Sequence, residues 1–253
     1  DKRLPRWNLF FLYNLKKLLA KYNFSKIFDL QNSRRTKFYK NFIIKNAEWS
    51  SSESTLESGQ SKKEFDSYPV LDRMELQLKK SGVPYKFVKK VDLSWINEDV
   101  SKKIKQSTNR EYILIFPFCS KKHQNKKWPF FKELVSKIRR EYKNNYSVLV
   151  APGPEEIKEA AELNAKIVKD GDNPINIKML ISLIREAKFV IANDTGPAHI
   201  ASHLNKKGLV LFGSHTSAKK VSIENSNFKA LSVKNLVDLD ADTVLKEMKK
   251  DLN

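Results

Sequence analysis

Apolar and polar positions follow a regular order from residue 112 onward. Apolar runs of strand length alternate with segments of ten or more residues that have helical spacing. The predicted strands are YILIFPF, SVLVAPG, AKIVKD, KFVIAND and KGLVLFG, and the last predicted helix is DADTVLKEMKKDL. Because strands that alternate with helices form a parallel sheet covered on both faces, we predict a complete Rossmann-like domain over residues 111–253.

The first 110 residues have a different pattern. Helical spacing predicts a helix over residues 7–22 and another from Pro69 to Gly82, and a short apolar run at 26–31 predicts a strand. This part is either an all-helical addition or the tail of a second α/β domain that lacks its beginning. The chain starts with Asp rather than Met, so we expect that the natural N-terminus lies further upstream.

Two polar segments divide the N-terminal part. Residues 50–68 are rich in Ser and poor in apolar side chains, which predicts a surface loop or an insertion. Residues 92–110 are predicted to connect the two parts of the chain. We therefore predict a partial N-terminal domain over 1–110.

The net charge of +19, from 48 basic and 29 acidic residues, creates a field that attracts anions. Nucleic acid, an anionic membrane and phosphorylated substrates are all candidate partners. The first fifty residues hold twelve Lys or Arg and three Asp or Glu, which favours an anionic membrane surface. Aromatic side chains among these charges belong either to an interfacial helix or, as we favour, to the core stripe of an amphipathic helix; they are Trp7, Phe10, Phe11 and Tyr13.

Other classes of protein lose support. The sequence has no run of eighteen apolar residues, so no membrane span is predicted. The single cysteine, Cys119, excludes an internal disulfide framework, which fits a cytoplasmic setting. The sequence has no P-loop and no G-x-G-x-x-G pattern, so ATPases and NAD enzymes are disfavoured. We predict no metal site, and we interpret His123, His203 and His215 as surface or structural residues.

The segment NDTGPAHIA, residues 193–201, follows a predicted strand, and ligands of open α/β sheets bind at the carboxyl ends of strands. A helix that begins at Gly196 and Pro197 offers free N–H groups and a positive dipole end to an anion. A hydroxyl, an imidazole and a carboxylate lie beside this helix start, which suits a diphosphate that carries a sugar. The alternative is that Asp194 or Thr195 caps the helix and His199 packs locally.

The loop over residues 117–129 carries four lysines after the first strand of the predicted sheet. Lys126 or Lys127, just before Trp128, can neutralise phosphate charge. A lysine-rich loop alone is weak evidence, but it gains weight opposite an independent anion site.

These loops, in this order, resemble glycosyltransferase family 9, the heptosyltransferases of the lipopolysaccharide inner core. The matching stretches are KKWPFFKELVSKI, VLVAPGPEEIKEA, LISLIREAKFVIANDTGPAHIASHL and GLVLFGS, and more loosely FDLQNSRRT and LDRMELQLKKSGVP. The resemblance implies a GT-B fold, with two Rossmann-like domains of which the N-terminal one is incomplete here. It implies an inverting, metal-independent transfer of heptose from ADP-heptose to a Kdo-lipid A type acceptor.

By resemblance, the diphosphate and the sugar would be held by Asp194, Thr195, Gly196 and His199. Lys126 would lie on the phosphates, with Lys127 as the alternative, and Ser120 would lie near them. Glu156 would accept hydrogen bonds from ribose hydroxyls. The partners implied are a nucleotide sugar and an anionic glycolipid at the inner face of the inner membrane, with no further cofactor and no nucleic acid.

The sequence departs from the family pattern at two places. The family begins with a glycine-rich strand, turn and helix that carry the aspartate proposed as general base, and nothing here matches them. We therefore expect an N-terminal truncation and a catalytic base outside this sequence. The loop after the first strand of the predicted C-terminal domain is also longer and richer in lysine than the family's. The alternatives are a GT-B transferase for another nucleotide sugar and a non-catalytic remnant that binds nucleotide or nucleic acid.

Overall fold

The computed structural model divides the chain into two compact units, one ending at Lys89 and the other starting at Lys90. The residues that it describes are 8–85, 88–143 and 145–252. Trp7, the first aromatic of the predicted N-terminal helix, lies outside the described residues. Each unit is considered by itself.

The N-terminal unit joins short helices to one pair of strands. Its elements are α1 (Leu9–Ala20), β1 (Lys26–Phe28), α2 (Arg34–Phe42), β2 (Glu48–Ser50), α3 (Ser52–Thr55), α4 (Lys62–Phe65) and α5 (Val70–Lys80). β1 and β2 are parallel neighbours. The buried Gln77 of α5 donates to the backbone oxygens of Asp29 (3.1 Å) and Ser50 (2.9 Å), so α5 ties the carboxyl ends of both strands together.

The Ser-rich segment differs from the predicted surface loop, because it contains α3 and α4 and contributes buried side chains. Phe65 is only 2% exposed, and Ser50, Ser51, Ser52 and Thr55 are also buried. Local hydrogen bonds compensate part of their desolvation: the Thr55 hydroxyl donates to the Ser51 carbonyl at 2.8 Å. A polar composition therefore did not exclude a packed segment.

The aromatic side chains of α1 also differ from the favoured interpretation. Phe10 is 77% exposed and Tyr13 is 65% exposed, while Leu12 is buried. These two aromatics do not form a core stripe within the N-terminal unit.

A parallel sheet of six strands, counted over the described residues, forms the centre of the second unit. The sheet strands are β3 (Glu111–Phe116), β4 (Tyr146–Val150), β5 (Lys166–Ile167), β8 (Phe189–Asn193), β9 (Gly208–Phe212) and β10 (Phe228–Ser232), and a small antiparallel pair is formed by β6 (Lys169–Asp170) and β7 (Asn173–Pro174). The spatial order is β10-β9-β8-β3-β4-β5, with all neighbours parallel. The predicted parallel α/β architecture is confirmed, although β10 was not predicted and the predicted strand at 165–170 is divided between β5 and β6.

Helices cover both faces of this sheet. They are α6 (Ser101–Ser107), α7 (Phe131–Tyr142), α8 (Ile157–Ala160), α9 (Ile177–Glu186), α10 (Gly196–His203), α11 (Ala218–Val221) and α12 (Ala241–Leu252), with 3₁₀ turns at Lys121–Lys126, Ala161–Leu163 and Leu236–Asp238. Alternate residues of β3 point to opposite faces: Ile113 belongs to the core shared with α7 and α12, and Leu114 to the core shared with α9 and α10.

The segment predicted as a connector belongs to the second unit. Val100 and Ile104 lie in the same buried cluster as Leu183 and Ile184 of α9. Arg185 donates to the backbone oxygen of Ile96 at 2.6 Å. The second unit therefore starts at Lys90, whereas we predicted the boundary after residue 110.

Across the described part of the chain, no helix combines the length and apolar character needed to cross a membrane.

Candidate functional site

The order of the strands marks one position on the sheet. β4 and β5 extend the sheet on one side of β3, and the chain then returns to place β8 on the other side of β3. The strand order therefore reverses between β3 and β8, and ligands of open α/β sheets bind at such a switch point, outside the carboxyl ends of the strands. The loop after β3 carries Lys126, and the end of β8 leads to Asp194.

Three side chains converge on the carboxylate of Asp194. Lys126 Nζ lies 2.6 Å from Oδ2, and His215 Nε2 lies 3.1 Å from the same oxygen. His199 Nε2 lies 3.6 Å from Oδ1. The Asp194 side chain is 3% exposed, whereas those of Lys126 and His199 are 25% and 38% exposed. A buried carboxylate thus holds the Lys126 ammonium, with His199 close by, at the accessible edge of the sheet.

The charge of Asp194 is stabilised by these neighbours. Burial by itself would raise the pKa of the carboxyl, but the polar contacts with His199, Lys126 and His215 and the positive charge of Lys126 outweigh it. The pKa of Asp194 is therefore held well below its ordinary value of 3.8. Asp194 is an anion at neutral pH.

The helix α10 begins directly beside this cluster. Thr195 is its N-cap residue, and Pro197 lies in its first turn, where a missing N–H is harmless. The Thr195 hydroxyl donates to the Asn193 carbonyl at 3.3 Å. The positive end of the helix dipole therefore faces the same edge of the sheet as Lys126.

A buried asparagine fixes the lysine loop to the end of β8. Asn193 is fully buried, and its side chain donates to the Pro117 carbonyl at 2.7 Å and accepts from the Trp128 backbone N–H at 3.1 Å. The Trp128 indole N–H donates to the Leu239 carbonyl at 2.7 Å. The loop that carries Lys126 is therefore anchored at both ends. We did not predict this role, although a polar residue at the end of the apolar run FVIAN is an indication of it.

The structure separates the two lysines that the sequence left as alternatives. Lys126 pairs with Asp194, whereas Lys127 pairs with Glu159 of α8. Only Lys126 of the two therefore belongs to the Asp194 cluster.

A cavity of about 310 Å³ opens beside the start of α10. Three of the predicted site residues line it, namely Ser120, Glu156 and Thr195, together with apolar walls that include Phe116, Phe118 and Ile175. Burial raises the pKa of Glu156, whose carboxylate accepts the Gly153 N–H at 2.7 Å. Ser120, Glu156 and Thr195 thus line the cavity, whereas Lys126 and His199 belong to the Asp194 cluster. Thr195 and Gly196 follow Asp194 directly in the chain.

His215 belongs to the Asp194 cluster, where the sequence interpretation did not place it. We interpreted it as a surface or structural residue; its side chain is only 5% exposed and contacts Asp194. It lies two positions after the end of the predicted strand KGLVLFG. Its position at a strand end on the same edge of the sheet was the available indication.

The sequence matches the model of the family described as glycosyltransferase family 9 (heptosyltransferase) over residues 12–247. The chain belongs to glycosyltransferase family 9. The match extends over nearly the whole chain and confirms the predicted resemblance. It shows that the protein is a glycosyltransferase of the heptosyltransferase family.

Solved structures of family members and related proteins have the same fold. The E. coli heptosyltransferase WaaC with ADP is 14% identical, with a TM-score of 0.68 over 98% of this chain and 79% of that one. The E. coli ADP-heptose lipopolysaccharide heptosyltransferase II is 16% identical, with a TM-score of 0.66 over 96% and 81%. A family 9 glycosyltransferase from Veillonella parvula is 12% identical, with a TM-score of 0.69 over 99% and 80%. These likenesses show the predicted GT-B fold.

No curated protein matches the sequence significantly. Within the described ranges, no group of three or more His, Cys, Asp or Glu side chains could hold a metal ion.

Proposed function

We propose that this family 9 member transfers heptose from ADP-heptose to an anionic glycolipid of the Kdo-lipid A type, with inversion at the anomeric carbon and without a metal ion. The observation that carries the proposal is the Lys126–Asp194 pair, 2.6 Å apart at the switch point of the sheet and beside the start of α10. A cation and a helix N-terminus at one point form a site for a diphosphate.

Charge and shape both support the donor site. The Lys126 ammonium has three N–H donors, of which one is directed at Asp194, so the others are available to phosphate oxygens. The neighbouring cavity has apolar walls for a nucleoside base, and Glu156 in its lining is an acceptor for ribose hydroxyls. Asp194 and His199 are then assigned to the sugar and the diphosphate, and Ser120 to the surroundings of the phosphates.

The identity of the nucleotide is supported by the relatives. The WaaC structure contains ADP, and the second E. coli relative is described as an ADP-heptose enzyme. On this ground ADP is the proposed nucleotide of this chain, which is 14–16% identical to these proteins.

The proposed reaction is a direct displacement. An acceptor hydroxyl oxygen forms a bond to the anomeric carbon while the bond from that carbon to the diphosphate oxygen breaks, and the hydroxyl proton passes to a base. Lys126, His199 and the start of α10 stabilise the negative charge that develops on the leaving ADP. Asp194 is assigned to the donor and not to proton removal, because its lowered pKa makes it a weak base.

The acceptor proposal is supported by a basic cleft in the N-terminal unit. A cavity of about 310 Å³ lies at the start of α2 and is lined by four cationic side chains and by two acidic ones, namely Arg34, Lys37, Lys40 and Lys62, with Asp29 and Glu53. The excess of positive charge fits carboxylate or phosphate groups of a glycolipid. Such an acceptor would bring the enzyme to the cytoplasmic face of the inner membrane.

The test combines nucleotide binding with transfer. We expect the protein to bind ADP by titration calorimetry more tightly than UDP, and the full-length protein to transfer heptose from ADP-heptose to Kdo-lipid A in the presence of EDTA. Tighter binding of UDP would favour a GT-B transferase with another donor. ADP binding without transfer would favour the nucleotide-binding remnant, and loss of transfer in EDTA would contradict the metal-independent reaction.

A further inference from the structure

We propose that His215 is a positioning residue of the donor site, which fixes the Asp194 carboxylate so that Asp194 in turn holds Lys126 in place for the diphosphate. The inference rests on the proposed function, because it assigns Lys126 to a nucleotide. His215 lies outside the segment 193–201 and outside the lysine loop over residues 117–129. Two contacts of the imidazole and the surroundings of its second ring nitrogen support this role.

The first contact is with the carboxylate. His215 Nε2 lies 3.1 Å from Asp194 Oδ2, the same oxygen that pairs with Lys126 Nζ at 2.6 Å. A carboxylate accepts hydrogen bonds only, so the Nε2 atom of His215 carries the hydrogen. One oxygen of Asp194 therefore receives two donors from two different loops, and the rotation of the carboxylate about its χ2 angle is restricted.

The second contact fixes the ring. The imidazole stacks on Phe212, the last residue of β9, with centroids 5.7 Å apart and planes 16° apart. The side chain is only 5% exposed. The position of Nε2 is thus set by the rigid end of a buried strand, as a positioning residue requires.

The third feature is the other ring nitrogen. Nδ1 is buried and has no hydrogen-bond partner among the residues that the structure describes. It lies over Gly213, where an added Cβ would come within 3.6 Å of Nδ1 and 3.3 Å of Leu236. A hydrogen on Nδ1 would be left unsatisfied there, whereas a bare lone pair is the less costly choice. The Nε2–H tautomer is therefore favoured from both sides of the ring.

The consequence concerns Lys126. Its side chain is one-quarter exposed, and the direction of its ammonium depends on the Oδ2 atom that His215 holds. Without the Nε2–H donor, the carboxylate can turn, and the lysine follows it away from the diphosphate. Because Asp194 sits at the end of β8 and His215 after β9, the contact also couples two neighbouring loops at the carboxyl edge.

The test uses ADP titrations of the full chain with paired variants. His215→Phe keeps a ring on Phe212 but removes the donor, and His215→Gln restores an amide donor near the position of Nε2. We expect His215→Phe to weaken ADP binding about tenfold, as for the loss of a hydrogen bond to a charged group, and His215→Gln to recover most of it. His203→Phe, a partly buried histidine at the end of α10, serves as the control and should bind ADP like the wild type.

A double variant shows whether the effect runs through Lys126. In a Lys126→Met background, His215→Phe should add little further loss of ADP affinity, because the group that it positions is already absent. A purely structural role would instead give additive losses and a failure of His215→Gln to rescue, which would overturn the inference.

An independent measurement on the wild type does not depend on the folding of a variant. Long-range ¹H–¹⁵N NMR spectra of the wild-type histidines should show that His215 carries its hydrogen on Nε2, and a hydrogen on Nδ1 would contradict the inference. If the wild type binds no ADP, the proposed function fails and the inference falls with it. If the wild type and His215→Phe bind ADP equally, only the inference is overturned.

Discussion

Lys126 Nζ lies 2.6 Å from Asp194 Oδ2, although 68 positions separate the two residues in the sequence. The contact joins the loop after β3 to the end of β8, the two strands between which the strand order of the sheet reverses. Because both loops open at the carboxyl edge, the fold itself brings the cation to the start of α10. The pair is therefore the most direct target for experiments on the donor site.

Replacing Lys126 by Met should weaken ADP binding by roughly 10- to 100-fold, since the variant loses a charge-assisted contact of about 1.5–3 kcal/mol with the diphosphate. Titration calorimetry on the purified protein measures this directly. Lys127→Met is the matched control, because Lys127 pairs with Glu159 and not with Asp194.

The comparison of these two variants also decides which lysine of the loop binds the diphosphate. Equal losses in both would mean that the loop binds phosphate through general positive charge. A loss only in Lys127→Met would contradict the assignment of Lys126 to the diphosphate.

Much of the second unit could be predicted from the sequence, because its strands are apolar on both faces and its helices have a clear polar side. The same regularity placed Asp194, Thr195 and Lys126 at the carboxyl edge of the sheet. What periodicity could not supply is the partner of each side chain. The contact between His215 and Asp194 depends on the pairing of β8 with β9, which follows from strand order and not from spacing along the chain.

The N-terminal unit was less predictable for a physical reason. Its β1 and β2 have three residues each, too short for a periodic pattern, and Ser50 and Ser51 are buried although their type favours the surface. The burial depends on long-range hydrogen bonds, such as the one from Gln77 to the Ser50 carbonyl. Composition alone indicated a loop where tertiary contacts produce a packed segment.

The lowered pKa of Asp194 predicts a pH dependence of folding stability. The carboxyl takes up a proton near its ordinary value of 3.8 when the chain is unfolded, but at a lower pH when it is folded. The unfolded state therefore binds more protons as the pH falls below about 4, and the stability that Asp194 contributes at neutral pH is lost there.

Urea unfolding of the wild type and of Asp194→Asn measures this contribution. The free energy of unfolding of the wild type should exceed that of the variant at neutral pH, and the difference should shrink as the pH falls below about 4. A difference that stays constant down to about pH 3 would show that the ionisation of Asp194 does not stabilise the fold.

Cys119 offers a probe of the cavity, because it is the single cysteine of the chain and lines the cavity with Ser120 and Glu156. Burial raises the pKa of its thiol above the ordinary 9.0, so little thiolate is present at neutral pH. We expect slow reaction with a thiol reagent at neutral pH, a faster reaction at alkaline pH, and protection by ADP.

The rate of modification with and without ADP tests this prediction, and the unfolded chain in denaturant supplies the unprotected rate. An ADP concentration that saturates the protein in calorimetry but leaves the rate unchanged would place the nucleotide outside this cavity.

Asn193 should contribute both to the folding stability of the protein and to the position of the loop that carries Lys126. Replacing it by Leu leaves the buried Pro117 carbonyl and the Trp128 backbone N–H without their partner, at a cost of about 1–3 kcal/mol for each group. We expect the free energy of unfolding to fall by about 2–6 kcal/mol and ADP binding to weaken, because the anchored loop carries Lys126. Asn235→Leu, at an exposed asparagine, is the control. Unfolding in urea separates the outcomes: if Asn193→Leu is as stable as Asn235→Leu, the buried amide does not hold the lysine loop to β8.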